Sequence, residues 1–298
     1  MNSKQVVLVT GSSAGFGRLI AETLARHGHT VFATMRDPQG RNLTHATELR
    51  VLAQRASLAL FILDLDVTDE SSVQRAVHTC AEHAGRIDVV INNAGYALIG
   101  LAEAITTEQA RQIMDTNFFG SVRVNRAVLP FMRRQGAGLL LHISSGAGRL
   151  VFPAFSLYCA SKFALEALAE AYHYELAPQG IESVIIQPGA YQTSVFGKMA
   201  RAADEGRTET YGVANQVPAK INNILTNTAG NPQEVADAVL RVIETPAGQR
   251  KLRYRVSPAD IGVDEINALC EQVQARLFES SGIAADLAFV KRNAAGSA

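Results

Sequence analysis

The chain has 298 residues, 47% hydrophobic and 19% charged, and its 28 lysines and arginines balance 28 aspartates and glutamates to zero net charge. This composition supplies ample core material and excludes intrinsic disorder, which needs low hydrophobicity with high net charge. With no Lys/Arg-rich block and no charge excess, it also argues against nucleic acid, polyanion or membrane-surface binding.

The opening apolar run, Val6–Val9, is too short for a signal-peptide core, and a glycine-rich loop follows it directly. No stretch approaches the roughly 18 apolar residues of a membrane-spanning helix. Cys80, Cys159 and Cys270 are widely spaced and odd in number, which fits reduced thiols and neither a disulfide framework nor a CxxC site. The expectation is a soluble cytoplasmic protein.

Along the chain, short β-branched runs alternate with longer helical patterns. Strands are expected at Val6–Thr10, Thr30–Met35, Leu58–Leu63, Ile87–Asn92, Gly138–Ser144, Ile181–Gln187 and Leu252–Val256. Helices are expected at Gly15–His27, Asn42–Arg55, Glu70–Ala84, Glu108–Gln135, Ser156–Ala177 and Pro232–Glu244. Runs such as Val6-Val7-Leu8-Val9 and Val184-Ile185-Ile186 are apolar without alternation, as suits strands covered on both faces of a parallel sheet. The repeated strand–helix alternation predicts a doubly wound α/β fold with helices on both faces. We expect one catalytic domain over residues 1–257, with segment 190–229 covering the carboxyl edge of the sheet, and a helical C-terminal extension over 258–298.

Thr10-Gly11-Ser12-Ser13-Ala14-Gly15-Phe16-Gly17 lies between the first strand and the first helix. Glycines there allow a tight turn and close backbone approach, and a helix N-terminus attracts a pyrophosphate. The spacing is GxxxGxG rather than GxGxxG. At the end of the second strand the chain reads Ala33-Thr34-Met35-Arg36-Asp37. Met35 stands where a carboxylate would pair with the 2′-hydroxyl of NAD, and the Arg36 guanidinium can fork onto the 2′-phosphate of NADP(H). NADP(H) is therefore preferred over NAD(H); the alternative is a solvated Arg36 with Asp37 on the ribose.

Tyr158 and Lys162 stand four apart at the start of a helical pattern and so share a helix face. An ammonium beside a phenol favours the phenolate and tunes it for proton transfer. Ser145, at a strand's carboxyl end, can hydrogen-bond a substrate oxygen.

Thr10–Gly17, Asn92-Asn93-Ala94-Gly95, Asn117, Ser145, Tyr158-xxx-Lys162 and Pro188-Gly189 occur in the order and spacing of the short-chain dehydrogenase/reductase family, which the chain resembles from about Gln5 to Val256. Within it, Ala33–Asp37 and Tyr158–Glu166 look most like the 17β-hydroxysteroid dehydrogenase type 1 and retinol dehydrogenase-like branch. The resemblance implies a Rossmann fold with a seven-stranded sheet of order 3-2-1-4-5-6-7. It implies interconversion of a carbonyl and an alcohol on an apolar small molecule. Tyr158 would be general acid or base, Lys162 would hold the nicotinamide ribose and keep the Tyr158 pKa down, and Ser145 would polarise the carbonyl. Asn117 would anchor a water that relays protons through Lys162. The cofactor would meet Gly11, Ser13, Phe16 and Gly17 of the loop, Arg36 at the 2′-phosphate, Asp66 and Val67 at the adenine, Asn93, Ala94 and Gly95 at the adenosine-side ribose, and the backbone of Pro188, Gly189 and Tyr191, with Thr193, at the carboxamide. A homodimer or homotetramer through Glu108–Gln135 and Ser156–Ala177 is implied as well.

Phe152, Phe155, Phe196 and Met199 flank these motifs and are candidate walls of an apolar pocket, with Tyr191 narrowing it or adding a hydroxyl. His142, inside a strand with no GxSxG elbow nearby, reads as a core histidine. Tyr172–Glu175 reads as one turn of a helix without metal-ligand spacing. Cys159 and the Phe118-Phe119 pair read as packing residues. The alternatives are a non-catalytic dinucleotide-binding regulator, an NAD-preferring alcohol dehydrogenase of the same family, and a nucleotide-sugar epimerase, which the loop spacing disfavours.

Overall fold

Every strand expected from the apolar runs forms, and all seven join in one parallel sheet. The computed structural model describes residues 4–191, 199–227, 230–259 and 261–290. The strands are β1 (Val6–Val9), β2 (Thr30–Met35), β3 (Leu60–Asp64), β4 (Val89–Asn92), β5 (Gly138–Ile143), β6 (Ile181–Pro188) and β7 (Arg253–Val256). Their order is 3-2-1-4-5-6-7, as the resemblance implies. Val7 pairs with Val31 on one side and Val89 on the other. β1 and β4 therefore flank the point where the strand order reverses, and ligands of such sheets bind outside the strand carboxyl ends there.

Both faces of β1 are covered. Val7 and Val9 join a cluster with Ile20 and Leu24 of α1 (Gly15–Arg26), Leu49 of α2 (Leu43–Arg55) and Val235 and Val239 of a later helix (Gln233–Glu244). Val6 and Leu8 join the opposite cluster with Val73 and Val77 of α3 (Glu70–Ala84) and, further on, Val124, Val128 and Met132. Alternate residues of a strand point to opposite faces, so a strand covered on both reads as an unbroken apolar run.

The expected helix Glu108–Gln135 is interrupted. It divides into α4 (Thr107–Met114), a π-helical turn (Asp115–Phe119) and α5 (Gly120–Gln135). The turn is braced by Arg123, whose Nη2 lies 2.6 Å from Asp115 Oδ1 while Nη1 donates to the Val67 carbonyl at 3.1 Å. The extra residue turns Asn117 into the interior, where it is buried. Phe118 and Phe119 are not core residues: their rings meet edge-on at 5.0 Å, and Phe119 is 48% exposed.

The remaining helices are α6 (Ser156–Leu176), α7 (Val217–Asn227), α8 (Gln233–Glu244) and α9 (Val263–Ser281). A second, two-stranded parallel pair joins Leu98–Ile99 to Ala200–Arg201 and ties the segment after β6 to the loop after β4. That pair has no counterpart among the expected strands. The C-terminal helix α9 docks through buried Val263 and Asn267 and through Phe278, whose ring meets Tyr174 of α6 edge-on at 4.8 Å. No described helix is long and apolar enough to cross a membrane.

Gly17 fixes how closely α1 approaches β4. A Cβ there would come within 2.4 Å of both the Gly11 carbonyl oxygen and Asn93 Nδ2. Gly17→Ala should therefore lower stability by about 1–3 kcal/mol, as overpacking does, and depress the calorimetric melting temperature. Gly206→Ala, at an exposed glycine with only the distant Asp204 side chain nearby, should leave it unchanged.

Candidate active site

A cleft of about 470 Å³ opens at the carboxyl edge of the sheet, over β1, β2, β4 and β5. One end is built on α6. Tyr158 and Lys162 occupy its first two turns and face Ser145, which follows β5. The helix comes close because position 148 is glycine: a Cβ there would lie 2.8 Å from both Ser144 Oγ and Glu166 Cγ. Ser145 is extended, and its Oγ accepts from the Ala147 amide at 3.1 Å, which holds the hydroxyl toward the Tyr158 phenol. Lys162 is buried, and its Nζ donates to the Ile143 carbonyl at 2.9 Å.

The electrostatics differ from the expectation. Burial pushes the Tyr158 phenol above its ordinary value, and the Ser145 hydroxyl bond opposes that only in part. The Lys162 ammonium is drawn to Ile143 and sits 5.9 Å from the centre of the Tyr158 ring. Burial lowers Lys162 itself to about 8, against the pull of Glu166. The phenol is therefore protonated through the neutral range.

Asn117 lies behind this group and does not line the cleft. Its Oδ1 accepts from the Tyr96 amide at 3.0 Å, and its Nδ2 donates to the Tyr96 carbonyl and Ser161 Oγ, each at 3.0 Å. The side chain thus staples the π-turn to α6 and to the loop after β4, and neighbouring Thr116 reaches the cleft wall.

The middle of the cleft is the glycine-rich turn. Gly11 (φ +71°), Ser13 and Phe16 line it, while Gly17 packs underneath. Thr10 Oγ1 accepts from the Asn93 and Ala94 amides at 2.9 and 3.0 Å, and Asn93 Nδ2 donates to the Thr10 and Gly11 carbonyls. The α1 N-cap, Ala14, lines the cleft and provides no side-chain cap. Uncapped first-turn amides of a long helix are an anion site.

At the far end stand Arg36, Asp66 and Val67, with Ala94 and Gly95 alongside. Arg36 Nη1 lies 3.9 Å from Asp66 Oδ2, with both side chains well exposed, so the pair is weak and the guanidinium can be redirected. Asp37 turns away, its Oδ2 accepting from the Arg41 amide at 2.8 Å. Sequence reasoning missed Arg41, Asn42 and His45, which line this end from the β2–α2 loop and the start of α2. Two further basic residues within nine positions of Arg36 were the available signal.

Pro188 and Gly189 line the cleft beside Ser144. The Tyr191 side chain does not, which corrects the expectation that it narrows the pocket or adds a hydroxyl there. It is wholly buried in the sheet–α1–α8 core, edge-on to Phe16 at 5.7 Å, and its hydroxyl donates to Glu234 at 3.0 Å. Burial and the Glu234 carboxylate push this phenol up, so it carries its proton. Tyr191 supports Phe16 from below. Thr193 and Phe196 lie outside the described residues. Met199 lines the cleft, whereas Phe155 and Phe152 stand behind it. Both pack in an apolar cluster around Tyr158 with Ile99 and with Val217 and Ile221 of α7, and the Phe155 ring meets Tyr158 at 5.8 Å.

The residues outside the cleft have ordinary partners. His142 is fully buried beside Asn92 and held neutral, its pKa lowered to about 3 by burial. His173 Nδ1 lies 3.1 Å from the Ser183 carbonyl oxygen. Cys159 is buried, its Sγ accepting from the Phe152 amide at 3.5 Å.

A doubly wound sheet with a phosphate-turn cleft at its switch point, and a serine, tyrosine and lysine converging at one end, defines a nicotinamide-dinucleotide oxidoreductase. The family model for short chain dehydrogenase matches residues 5–204, and the chain belongs to that family. It is similar to an uncharacterized oxidoreductase, YusZ, of Bacillus subtilis (strain 168), at 37% identity over 85% of this chain and 89% of the relative. It is also similar to human 17-beta-hydroxysteroid dehydrogenase type 1, at 36% identity over 85% of this chain and 77% of that one. A solved short-chain dehydrogenase from Streptomyces avermitilis superposes with a TM-score of 0.75 at 33% identity, covering 97% of this chain and all of that one. The chain is thus an oxidoreductase acting on CH–OH and C=O groups with a nicotinamide dinucleotide.

Tyr191→Phe should cost about 1 kcal/mol in urea unfolding, the worth of one hydrogen bond, and leave the KM for substrate unchanged. A raised KM would return the hydroxyl to the site.

Proposed function

We propose that the protein is an NADP(H)-dependent reductase of apolar ketones or aldehydes, acting reversibly on the corresponding alcohols. The observation that carries this reading is the make-up of the two cleft ends: Ser145, Tyr158 and Lys162 at one, Arg36, Arg41 and His45 at the other.

The dinucleotide, when bound, supplies or accepts the hydride. The residues present fit it: the turn leaves no room for side chains at Gly11 and Gly17, and α1 presents uncapped amides. Arg36 and Arg41 would hold the 2′-phosphate, with His45 beside them; guanidinium forks suit such an anion. That Asp37 is engaged with the Arg41 amide supports NADP(H) over NAD(H).

For the chemistry, Ser145 would donate its hydroxyl hydrogen to the substrate oxygen and Tyr158 would deliver a proton to it. A phenol held protonated at neutral pH suits the acid role, which belongs to carbonyl reduction. Lys162 would keep a positive charge beside the phenolate that forms. Asn117 would hold the π-turn and α6 in register. The apolar residues around Tyr158 support an uncharged, hydrophobic substrate, as does the similarity to human 17-beta-hydroxysteroid dehydrogenase type 1.

The same reading takes residues 1–257 as the catalytic unit, 190–229 as its substrate cover and 258–298 as an extension. Free thiols at Cys80, Cys159 and Cys270 accord with a cytoplasmic setting. Phe119 (48% exposed) and Phe163 (40% exposed), from the segments on which a dimer or tetramer is expected, support self-association there.

Tyr158→Phe should lower kcat by about 10²–10⁴-fold, the range for loss of a general acid, with the dissociation constant for NADPH unchanged by fluorescence titration. Wild-type turnover of a hydrophobic carbonyl panel by this variant would remove the mechanism, and NADPH binding without consumption by the wild type would leave a regulator. Arg36→Asp should weaken NADPH by about 10–100-fold, the worth of a charged hydrogen bond, and shift preference toward NADH. Unchanged preference would make Arg36 a bystander.

A further inference from the structure

Glu166 is a carboxylate inside the protein that the proposed chemistry does not use. It lies one helical turn beyond Lys162 on α6, on the same face as Tyr158 and Lys162. Its side chain is almost wholly buried, and its stem packs at position 148, beneath Ser144. Three elements converge on it. Gln187 of β6 donates Nε2 to Oε1 at 3.0 Å, and Arg253 of β7 brings Nε to 2.9 Å from Oε2. Arg253 also reaches Glu170, one turn further along α6, at 2.5 Å. Asn267 of α9 donates to Gln187 Oε1 at 2.8 Å, so the C-terminal helix closes the network.

Glu166, Arg253 and Glu170 form a buried row of paired charges, and Lys162 stands one helical turn before it on the face that carries Glu166. A buried ammonium without a facing carboxylate loses its proton, because desolvation penalises the charged form. Lys162 shares a helix face with Tyr158 and Glu166, feels the Glu166 charge without touching it, and lies against neutral His142 and the Ile143 carbonyl on β5, with Ser145 after it. Of these, Glu166 is the carboxylate.

We propose that Glu166 is a positioning residue that keeps Lys162 protonated at working pH, held in place by Gln187, Arg253 and, through Gln187, by Asn267 of the C-terminal helix. The proposal rests on the proposed function only in taking the Lys162 charge as useful to turnover. Burial sets Lys162 near 8, so its charge is present below that pH and lost above it. Loss of the Glu166 charge moves this boundary down.

The test is a titration of [ε-¹³C]lysine-labelled protein without cofactor, with the Lys162 resonance assigned by its loss in Lys162→Arg. Glu166→Gln, which keeps the size and one of the two acceptors, should lower the Lys162 midpoint by about one pH unit, a tenfold change in the protonation equilibrium. The alkaline limb of the kcat/KM profile should move with it. Glu166→Asp keeps the charge and should stay within a few tenths of a unit of wild type, although it fits the Arg253 contact worse. A merely structural glutamate gives the reverse order, with Gln tolerated better than Asp. If Glu166→Gln alone does not fold, Glu166→Gln/Arg253→Met/Glu170→Gln removes the whole ion-paired row and should show the same lowered midpoint. An unchanged midpoint in a folded Gln variant, or an Asp variant shifted as far as Gln, overturns the proposal. Because the titration needs no turnover, it reads the same if the carbonyl-reductase assignment fails.

Discussion

Holding an ammonium inside a protein is costly, and the arrangement around Lys162 is organised by that cost. The side chain is buried, so it must be met by an acceptor and an opposite charge. The acceptor is the carbonyl at the end of β5, which fixes how far α6 stands from the sheet. That distance is reached because Gly148 has no Cβ to hold the helix off Ser144 and Glu166. The β5 end is in turn placed by parallel pairing with β4 and β6, the innermost part of the sheet. Tyr158 and Ser145 inherit their positions from this one placement: the tyrosine from the same helix, the serine from the residues that follow the same strand.

The rest of the cleft follows from the topology. β1 and β4 flank the strand-order reversal, so the chain leaving each turns to opposite faces and opens a crevice between. The turn after β1 and the loop after β4 are tied across it by Thr10 and Asn93, which satisfy one another's backbone groups. Amides and glycines concentrate where a pyrophosphate would lie, cations where β2 ends, and apolar side chains beside Tyr158. The polarity of the cleft therefore runs along its length, and each section is contributed by a different βα connection.

Much of this was legible in the sequence, for identifiable reasons. A strand buried on both faces leaves an unbroken apolar run, so Val6–Val9 and Val184–Ile186 pointed to the sheet, and Tyr158-xxx-Lys162 shares a face on any helix. What stayed hidden depends on partners far along the chain. The π-turn at Asp115–Phe119 adds one residue without spoiling helical periodicity, and its brace, Arg123 to Val67, is a tertiary contact. Tyr191 was misjudged because its direction is set by Glu234 on α8, 43 residues away. Arg41 and His45 were passed over because a loop's path back to the cleft is not written in spacing. The behaviour of the Tyr158–Lys162 pair was misread for another reason: helical spacing gives proximity, but burial, which spacing does not report, dominates both groups.

Burial decides how such a site handles charge. A phenol raised by burial and a lysine lowered by it titrate further apart than they do in water, each pushed toward its neutral form, so a negative charge forming on Tyr158 would be offset only by the charge that Lys162 retains. Proton transfer is most efficient when donor and medium are near balance, and burial alone would drive both groups to neutrality and leave nothing to stabilise the phenolate. Some buried negative charge must therefore stand behind the lysine, away from the substrate, where it supports the ammonium without opposing the phenolate in front. Glu166 has that placement: its carboxylate lies one helical turn beyond Lys162, on the side away from Tyr158, and Arg253 ties it to Glu170 behind.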